Sequence, residues 1–478
     1  MLEKKGCCVD AIEWIVAEDK MSQRDQGRFI GLLRWWPWRR SGSERTVASH
    51  SLSAGSTVVL LIAVVVACTP LSAEGKNEFR LKTDNAAASC RFTANTPPPR
   101  SQDASDAVKV LPSPDGIYAG VYSIGTTRAD AKEFYRKTGK VPPIVFTFHD
   151  WISDDDFASK TPSLRTFHSD MEDHGVTPIQ LAQQLEAQGS VLAVTWAIQC
   201  CDWTSTAWWY GLRKTEVNVP RLLRGDFDDY IRKVAGEVKA YGKPIMLALF
   251  SELNWQAGMT FGKDGMTRMS EALDICGQYG DPAWPDGPER IRDAHMHVID
   301  LFRREGVKNV TWFMYANSGF MDPKGEDYSK WLHPKFFYPG DAYIDWVGQS
   351  TYFIDPKWGY SPSEDAAVIS QALKPGYDAW GEVTQRPLFL PEFGAVGDKK
   401  VDRGPILREV MTQVLPSMPR VRALTLADFM IAEICCQTPR LGEGHPGEIE
   451  TWRKSVGDNP AYTFRVRTGP PVVRLDGK

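Results

Sequence analysis

The chain has 478 residues, a formal net charge of -4 and a hydrophobic fraction of 42%. This length and composition are typical of a globular protein with a sizeable core, built as one large domain with extensions. A charge so close to balance gives no reason to expect nucleic acid or a polyanionic substrate as a partner.

Residues 1–68 are predicted to be a leader. Ser56–Pro70 contains an apolar run of about ten residues, half of what a membrane-spanning helix needs. Arginines precede the run, as in a secretory signal, and Val65–Cys68 is similar to a lipobox, whose cysteine is lipidated and becomes the mature amino terminus. We therefore expect a secreted, surface or periplasmic protein with Cys68 as a lipid anchor. A buried internal strand is the alternative, and a start at Met21 would explain part of the leader's unusual length.

Residues 69–111 are predicted to be a flexible linker. They are rich in Ala, Ser, Thr, Asn and Pro and poor in large apolar residues, so they bury too little surface to fold. Residues 469–478 are predicted to be a tail. The folded domain is therefore expected at 112–468.

Cysteine usage fits export. Without the three cysteines of the leader, six of nine remain, an even number that permits disulfides in an oxidising compartment. The pairs Cys200–Cys201 and Cys435–Cys436 follow predicted strands, so a bridge between the two loops and free thiols both remain open. No Cys/His spacing resembles a zinc site, and we expect no metal or other cofactor.

From Leu111 onward, short apolar runs rich in β-branched residues alternate with helical patterns, which is typical of βα units on a parallel sheet. The runs lie near residues 116, 143, 190, 243, 309, 344, 386 and 422. One helix is well marked, because Asp286 and Glu289 fit a capping box and Gly306 fits its end. Its apolar stripe is Ile291, Ala294, Val298 and Phe302. Eight parallel strands with helices between them predict an α/β fold of the (β/α)8 class, a TIM barrel.

Two of the predicted strands run from apolar residues into a glutamate. Glu252 ends the fourth and Glu392 ends the seventh. In a TIM barrel the active site lies at the carboxyl ends of the strands, and the fourth and seventh strands stand on opposite sides of the ring. The two carboxylates are therefore predicted to face each other across the opening. Solvated strand ends and a purely structural role are the alternatives.

A facing pair of carboxylates can hydrolyse a glycosidic bond. One acid, with a pKa raised by apolar surroundings and its negative partner, protonates the leaving oxygen, while the other stays ionised and attacks the anomeric carbon. A separation of roughly 5–5.5 Å gives retention and one of roughly 6.5–9.5 Å gives inversion. Aromatic rings in the loops suit stacking on sugars. We expect two or three of seven to do so: Trp203, Trp208, Trp209, Tyr210, Trp255, Trp284 and Trp358.

Four blocks resemble, in this order, glycoside hydrolase family 26, whose best-known members are retaining β-mannanases and which includes β-1,3-xylanases and mixed-linkage glucanases. The blocks are Phe250–Trp255, Val298–Asn317, Tyr338–Tyr352 and Arg386–Gly394, within a match over 112–465. The resemblance implies a retaining hydrolase of a β-linked polysaccharide, with Glu252 as acid/base and Glu392 as nucleophile. β-Mannan is the leading substrate, and β-1,3-xylan and β-glucan are further candidates.

The resemblance also implies that Tyr352 hydrogen-bonds the nucleophile and stabilises its ionised form. Other residues that follow predicted strands or lie in the loops are placed to contact substrate, with packing as the alternative role. They are Trp196, Asp150, Trp151, Asn317, Trp255 and Trp203.

The sequence departs from the family at several positions. Ala248 stands where the family has an arginine, Ser251 and Ala197 where it has histidines, and Asp428–Phe429 where a tryptophan floors the first subsite. Those family residues position substrate and set pKa values, so a non-catalytic glycan-binding barrel that kept both acids is the alternative function. We expect a monomer that binds polysaccharide or oligosaccharide and no nucleic acid.

Overall fold

A computed structural model describes residues 78–80, 102–122, 127–153, 159, 161–171, 175–198, 217, 219–254, 286–317, 333–354, 365–396, 402–427 and 441–471. The predicted leader with Cys68, the adjacent cysteine pairs, Asp428–Phe429 and all seven loop aromatics, among them Trp203 and Trp255, lie outside these residues.

Thirteen strands occur in the described part of the chain. They are β1 (Glu78–Arg80), β2 (Lys109–Leu111), β3 (Ile117–Tyr122), β4 (Ile144–Phe148), β5 (Ser163–Arg165), β6 (Val191–Thr195), β7 (Ile245–Ala248), β8 (Val310–Asn317), β9 (Trp346–Ile354), β10 (Leu388–Val396), β11 (Val421–Ala427), β12 (Tyr462–Thr463) and β13 (Arg467–Gly469).

Eight of these strands form a closed parallel ring. The ring runs β3, β4, β6, β7, β8, β9, β10, β11, and β11 returns to pair with β3 over Ala423–Ala427 and Tyr118–Tyr122. Each of the eight predicted apolar runs supplies one strand of the ring. The predicted TIM barrel is therefore confirmed. β12 adds to the first two residues of β3 outside the closed ring.

Helices of the described residues follow or flank the strands. They are α1 (Thr127–Thr138), α2 (Pro178–Glu186), α3 (Val219–Leu223), α4 (Asp228–Tyr241), α5 (Asp286–Arg304), α6 (Asp365–Val383), α7 (Gly404–Glu409) and α8 (Gly447–Trp452), with single 3-10 or π turns at Pro334–Phe336, Val410–Val414, Leu415–Ser417 and Arg453–Gly457. The predicted stripe of α5 is buried, and Gly306 follows the helix with a φ of +73° that suits glycine. None of the described helices is long and apolar enough to cross a membrane.

Aromatic side chains fill the inside of the ring. Phe313 lies 5.4 Å from Phe389 and 6.0 Å from Tyr315 between ring centroids, and Phe146 packs edge-on to Tyr315 at 6.1 Å. A second apolar layer lies between the strands and the helices. Because the interior is packed, a ligand meets the barrel only at its ends.

The amino-terminal end of the ring is closed by residues 103–111, here called the floor segment. Its strand β2 pairs antiparallel with β13. The Val110 amide donates to Thr311 Oγ1 at 2.7 Å, and Trp346 Nε1 donates to the Val110 carbonyl at 2.9 Å. The prediction of a flexible linker over 69–111 is therefore wrong for its last residues, which are folded, with Ala107 and Lys109–Leu111 buried.

Charged side chains fix the floor segment. Lys109, which is 3% exposed, forms ion pairs with Asp103 at 2.8 Å and Asp345 at 3.0 Å and donates to the Val310 carbonyl. Arg303 pairs with Asp103 from the other side at 3.1 Å. Composition missed this segment because it is held by buried charges as much as by apolar surface.

Candidate active site

Glu252 lies four residues beyond the end of β7, at the carboxyl-terminal end of the ring, here called the mouth. Its φ of +39° places it in the left-handed region, the only non-glycine residue there among those described. Such a conformation costs an L-residue about 1–2 kcal/mol. Asn317 Nδ2 donates to its Oε1 at 2.9 Å, and the Ser350 hydroxyl donates to the same oxygen.

Glu392 lies inside β10, where the strand bulges. The pairing of β10 shifts register with both neighbours around Pro391, which has no amide hydrogen to donate. The bulge lets Glu392 leave the wall of the ring. Its carboxylate is 5% exposed and accepts hydrogen bonds on both oxygens, from Tyr315 to Oε1 at 2.9 Å and from Tyr352 to Oε2 at 3.1 Å.

The two carboxyl groups influence each other's ionisation. Burial raises the pKa of Glu252 above its ordinary value, although the bonds from Ser350 and Asn317 oppose this. Burial and the Glu252 charge raise the pKa of Glu392 to about 8, against the lowering effect of the two tyrosines. In a coupled pair this value describes the loss of the last proton, whichever carboxyl carries it. Both shifts favour retention of one proton by the pair at neutral pH.

No lysine or arginine of the described residues forms an ion pair with Glu252 or Glu392. The structural alternative, an acid held against a cation, is thus absent from this part of the chain. The donors are distributed unequally between the two carboxyls. Both donors to Glu252 reach Oε1, whereas Glu392 has one on each oxygen. Hydrogen bonds to an ionised carboxylate favour that form, so this distribution suits an ionised Glu392 and a proton on Oε2 of Glu252.

Asn254 fixes the position of Asn317. Its Nδ2 donates to the Asn317 carbonyl at 2.8 Å and its Oδ1 accepts from the Asn317 amide at 2.6 Å. This two-bond clamp joins the ends of β7 and β8 beyond their last paired residues, Leu247 and Trp312. The Asn317 side chain is thereby directed at Glu252.

Two partly exposed aromatic rings lie among the interior side chains of the mouth. Phe148 ends β4 and Tyr352 lies in β9. The ring of Tyr122 stands 5.8 Å from that of Phe148. Asp150, two residues beyond β4, is also partly exposed. Ring faces beside a pair of carboxyls suit a ligand with both apolar faces and polar edges.

Trp151 and Trp196 do not line the mouth. Both are 0% exposed and lie 4.8 Å apart in the layer between the ring and the helices, against Tyr230 of α4. Side chains alternate along a strand, and Thr195 faces inward to Tyr315, so Trp196 turns outward. The prediction that these two tryptophans contact substrate gains no support, and their packing role is what the structure describes.

The structure brings together Glu252, Glu392, Tyr352 and Asn317, and adds Tyr315, Ser350 and Asn254, which sequence reasoning did not single out. Tyr315 sits within an apolar strand and resembles a core residue there. Ser350 is a small polar residue two positions before Tyr352, and strand alternation could have placed it on the same face. No described group of three His, Cys, Asp or Glu side chains could hold a metal ion.

Comparison with known proteins gives a partial sequence match. No family model matches the chain. The chain is 25% identical over 286 residues to endoglucanase H of Acetivibrio thermocellus, a match that covers 59% of this chain and 24% of that protein. The chain thus spans about a quarter of the length of the curated relative that it matches.

Several solved structures match the fold. A family 26 β-mannanase from Bacteroides ovatus is 14% identical, with a TM-score of 0.45, over 74% of this chain and 91% of that one. The family 26 domain of a Prevotella bryantii endo-β-mannanase/endo-β-glucanase is 16% identical, with a TM-score of 0.42, over 73% and 90%. A family 26 protein from a Muricauda species is 13% identical, with a TM-score of 0.46, over 73% and 87%. The chain is similar to glycoside hydrolase family 26.

Proposed function

We propose that this protein is a retaining glycoside hydrolase that cleaves a β-linked polysaccharide, with Glu252 as acid/base and Glu392 as nucleophile. The observation that carries the proposal is the pair itself. Two carboxyls at the mouth of one barrel are buried, have pKa values raised by that burial, have no cationic partner among the described residues, and receive different sets of donors. A pair whose surroundings separate the roles of its members is what acid-assisted displacement needs.

In the proposed first step, Glu392 attacks the anomeric carbon while Glu252 passes its proton to the leaving oxygen. A glycosyl ester forms on Glu392 and the glycosidic C–O bond breaks. In the second step the ionised Glu252 takes a proton from water, which attacks the anomeric carbon and releases Glu392. Tyr352 and Tyr315 hold the nucleophile from both oxygens before attack.

Candidate substrates follow from the resemblance and from the relatives. β-Mannan is the first to test because the neighbouring solved structures include β-mannanases. β-Glucan is second because the curated relative is an endoglucanase, and β-1,3-xylan is third. Ala248 and Ser251 replace residues that position substrate in the family, so relative rates on the three polymers are the informative quantity.

The test compares purified wild type with Glu392→Gln on β-mannan, β-1,3-xylan and mixed-linkage β-glucan. We expect wild type to release reducing ends from at least one polymer and Glu392→Gln to lose at least roughly 10³-fold in kcat, because no nucleophile remains. Proton NMR of the first product should show the β-anomer. Equal activity of the two proteins on every polymer would contradict the enzyme proposal and leave glycan binding as the function. An α-anomer as first product would exclude retention.

The pH dependence of kcat/KM provides a second check. Activity requires the pair to carry one proton, so the profile should be bell-shaped. Its alkaline limb should fall near pH 8, where the last proton leaves the pair. A profile that stays flat to pH 10 would contradict a shared catalytic proton.

We also propose that the protein is exported and anchored through Cys68, supported by the apolar run and lipobox-like residues of the leader. Metabolic labelling with a fatty-acid analogue in a bacterial host should mark wild type and not Cys68→Ser. Label on both proteins, or on neither, would contradict anchoring at this residue.

A further inference from the structure

We propose that Tyr315 is a positioning residue for Glu392, which holds Oε1 of the carboxylate while Tyr352 holds Oε2. The inference rests on the proposed function for its catalytic meaning. The contact itself is independent of that function. Neither strand pattern nor motif singled out Tyr315.

The Tyr315 hydroxyl is the centre of a buried group of polar contacts. It lies 2.9 Å from Glu392 Oε1, 3.0 Å from Ser251 Oγ and 3.2 Å from Thr195 Oγ1. Tyr315 is 0% exposed and Thr195 is 0% exposed, while Ser251 and Glu392 are each 5% exposed. Four elements of the barrel therefore meet at one phenol oxygen.

A phenol has one hydrogen to donate and two lone pairs that accept. An ionised carboxylate only accepts, so the single Tyr315 hydrogen points to Glu392. Ser251 and Thr195 must then donate to the Tyr315 oxygen. Burial and the nearby Glu392 charge raise the pKa of Tyr315 well above its ordinary value, which keeps the hydroxyl protonated as a donor at every working pH.

The surroundings show that the hydroxyl is not needed for packing. Among the described residues, the rings in contact with Tyr315 are phenylalanines, Phe146 and Phe313, and a phenylalanine would fill the same volume. A buried hydroxyl costs free energy unless it is bonded. The Tyr315 hydroxyl uses its hydrogen and both lone pairs in contacts beside Glu392. It is one of the two hydroxyls that donate to this carboxylate; the other is that of Tyr352.

Ser251 gives the arrangement a local reason. It directly precedes Glu252, and its hydroxyl lies 3.0 Å from that of Tyr315. The same hydroxyl network therefore touches the nucleophile through Tyr315 and the backbone of the acid/base through Ser251. The groups that face Glu392 from the surrounding strands are Tyr315 on β8, Tyr352 on β9 and Glu252 beyond β7.

The experiment compares Tyr315→Phe with Tyr118→Phe. Tyr118 is a matched control, since it is also 0% exposed inside the ring but donates to the Leu111 carbonyl at the opposite end. We expect Tyr315→Phe to lower kcat by about 10- to 100-fold with KM nearly unchanged, the size of a hydrogen bond to a charged group. The acid limb of the pH profile should move up by about one unit, because the ionised nucleophile has lost a donor.

A readout without turnover separates this inference from the proposed function. The Glu392 carboxyl carbon, labelled with ¹³C and assigned by its loss in Glu392→Gln, should titrate at higher pH in Tyr315→Phe than in wild type and Tyr118→Phe. If wild type proves inactive on every polymer but the Glu392 titration still shifts in Tyr315→Phe, the positioning role of Tyr315 is supported and the hydrolase proposal is contradicted. An active enzyme in which Tyr315→Phe matches Tyr118→Phe in kcat, acid limb and titration would overturn the inference. If Tyr315→Phe does not fold, Ser251→Ala should shift the titration in the same direction by less, and no shift there would also overturn it.

Discussion

The two ends of the barrel handle buried charge in opposite ways. At the floor segment, Lys109 lies between Asp103 and Asp345, and Arg303 closes the group. Although burial opposes it, the charges of Lys109 and Arg303 lower the pKa of Asp103 below its ordinary value. At the mouth, Glu252 and Glu392 are buried with hydroxyl and amide donors only, and their pKa values are raised.

This difference separates stabilising chemistry from reactive chemistry. Each acid of the floor segment has a cation, so its ionised form lowers the free energy of the folded state. The two acids of the mouth are buried without a cation, so the state in which both are ionised is held at a cost. The mouth also carries the left-handed backbone of Glu252. Buried ionised acids and a strained backbone both destabilise the folded state. Such local destabilisation is typical of functional sites and is offset by the rest of the fold.

Removing the cation at the floor should have the largest effect on stability. In Lys109→Met, two partly buried carboxylates lose their buried partner, and we expect the free energy of unfolding to fall by about 3 kcal/mol. The matched control is Lys308→Met, because Lys308 and Asp106 form an exposed pair that solvent screens and that should contribute little to stability. Denaturant titrations measure both. Equal losses in the two variants would mean that the floor charges contribute no more than surface charges.

Neutralising the nucleophile should stabilise the mouth in a pH-dependent way. The last proton of the Glu252–Glu392 pair has a pKa of about 8 in the folded state, against an ordinary carboxyl value of 4.5, so the stability that this proton gives wild type is complete below pH 4.5 and lost as the pH rises through 8. Glu392→Gln leaves a single carboxyl with no negative partner, so the variant escapes this loss. We expect its advantage over wild type to grow by up to about 4 kcal/mol between pH 5 and pH 9. Unfolding free energies at both pH values test this, and a constant difference would contradict the raised pKa.

The backbone of Glu252 should give the smallest effect. Glu252→Gly and Glu252→Ala both remove the carboxyl and its hydrogen bonds, but only alanine keeps a Cβ at a φ of +39°. We expect the glycine variant to be more stable than the alanine variant by about 1 kcal/mol. If Glu252→Ala proves more stable than Glu252→Gly, the left-handed conformation does not destabilise the folded state at this site.

The fold was predictable because each barrel strand is a separate apolar run, and parallel strands buried on both faces have that pattern. Glu252 and Glu392 were predictable because each interrupts such a run. Tyr315 was not, since a tyrosine inside an apolar strand fits the core equally well until its hydroxyl partners are known. Lys109 was missed because an ion-paired lysine in a polar segment cannot be told from a solvated one.

The tryptophans show a second limit. Trp196 follows Thr195 directly, and successive side chains of a strand point to opposite faces of the sheet. Because Thr195 points into the ring, Trp196 points out of it. Sequence located the end of β6 correctly but not the side that its last residues face. Trp151 lies three residues beyond Phe148, whose ring faces the mouth, and its own side chain is packed with Trp196 between the ring and the helices.

The floor segment also has a consequence for how the chain folds. Val110 bonds to Thr311, 201 residues later, and accepts from Trp346, 236 residues later, while β2 completes its pairing with β13 near residue 467. Contacts so distant along the chain form slowly, because a long loop must close before they are made. During synthesis the segment leaves the ribosome before any barrel strand, whereas its partner β13 is made after all eight. The floor therefore cannot be completed until the whole barrel sequence has been synthesised.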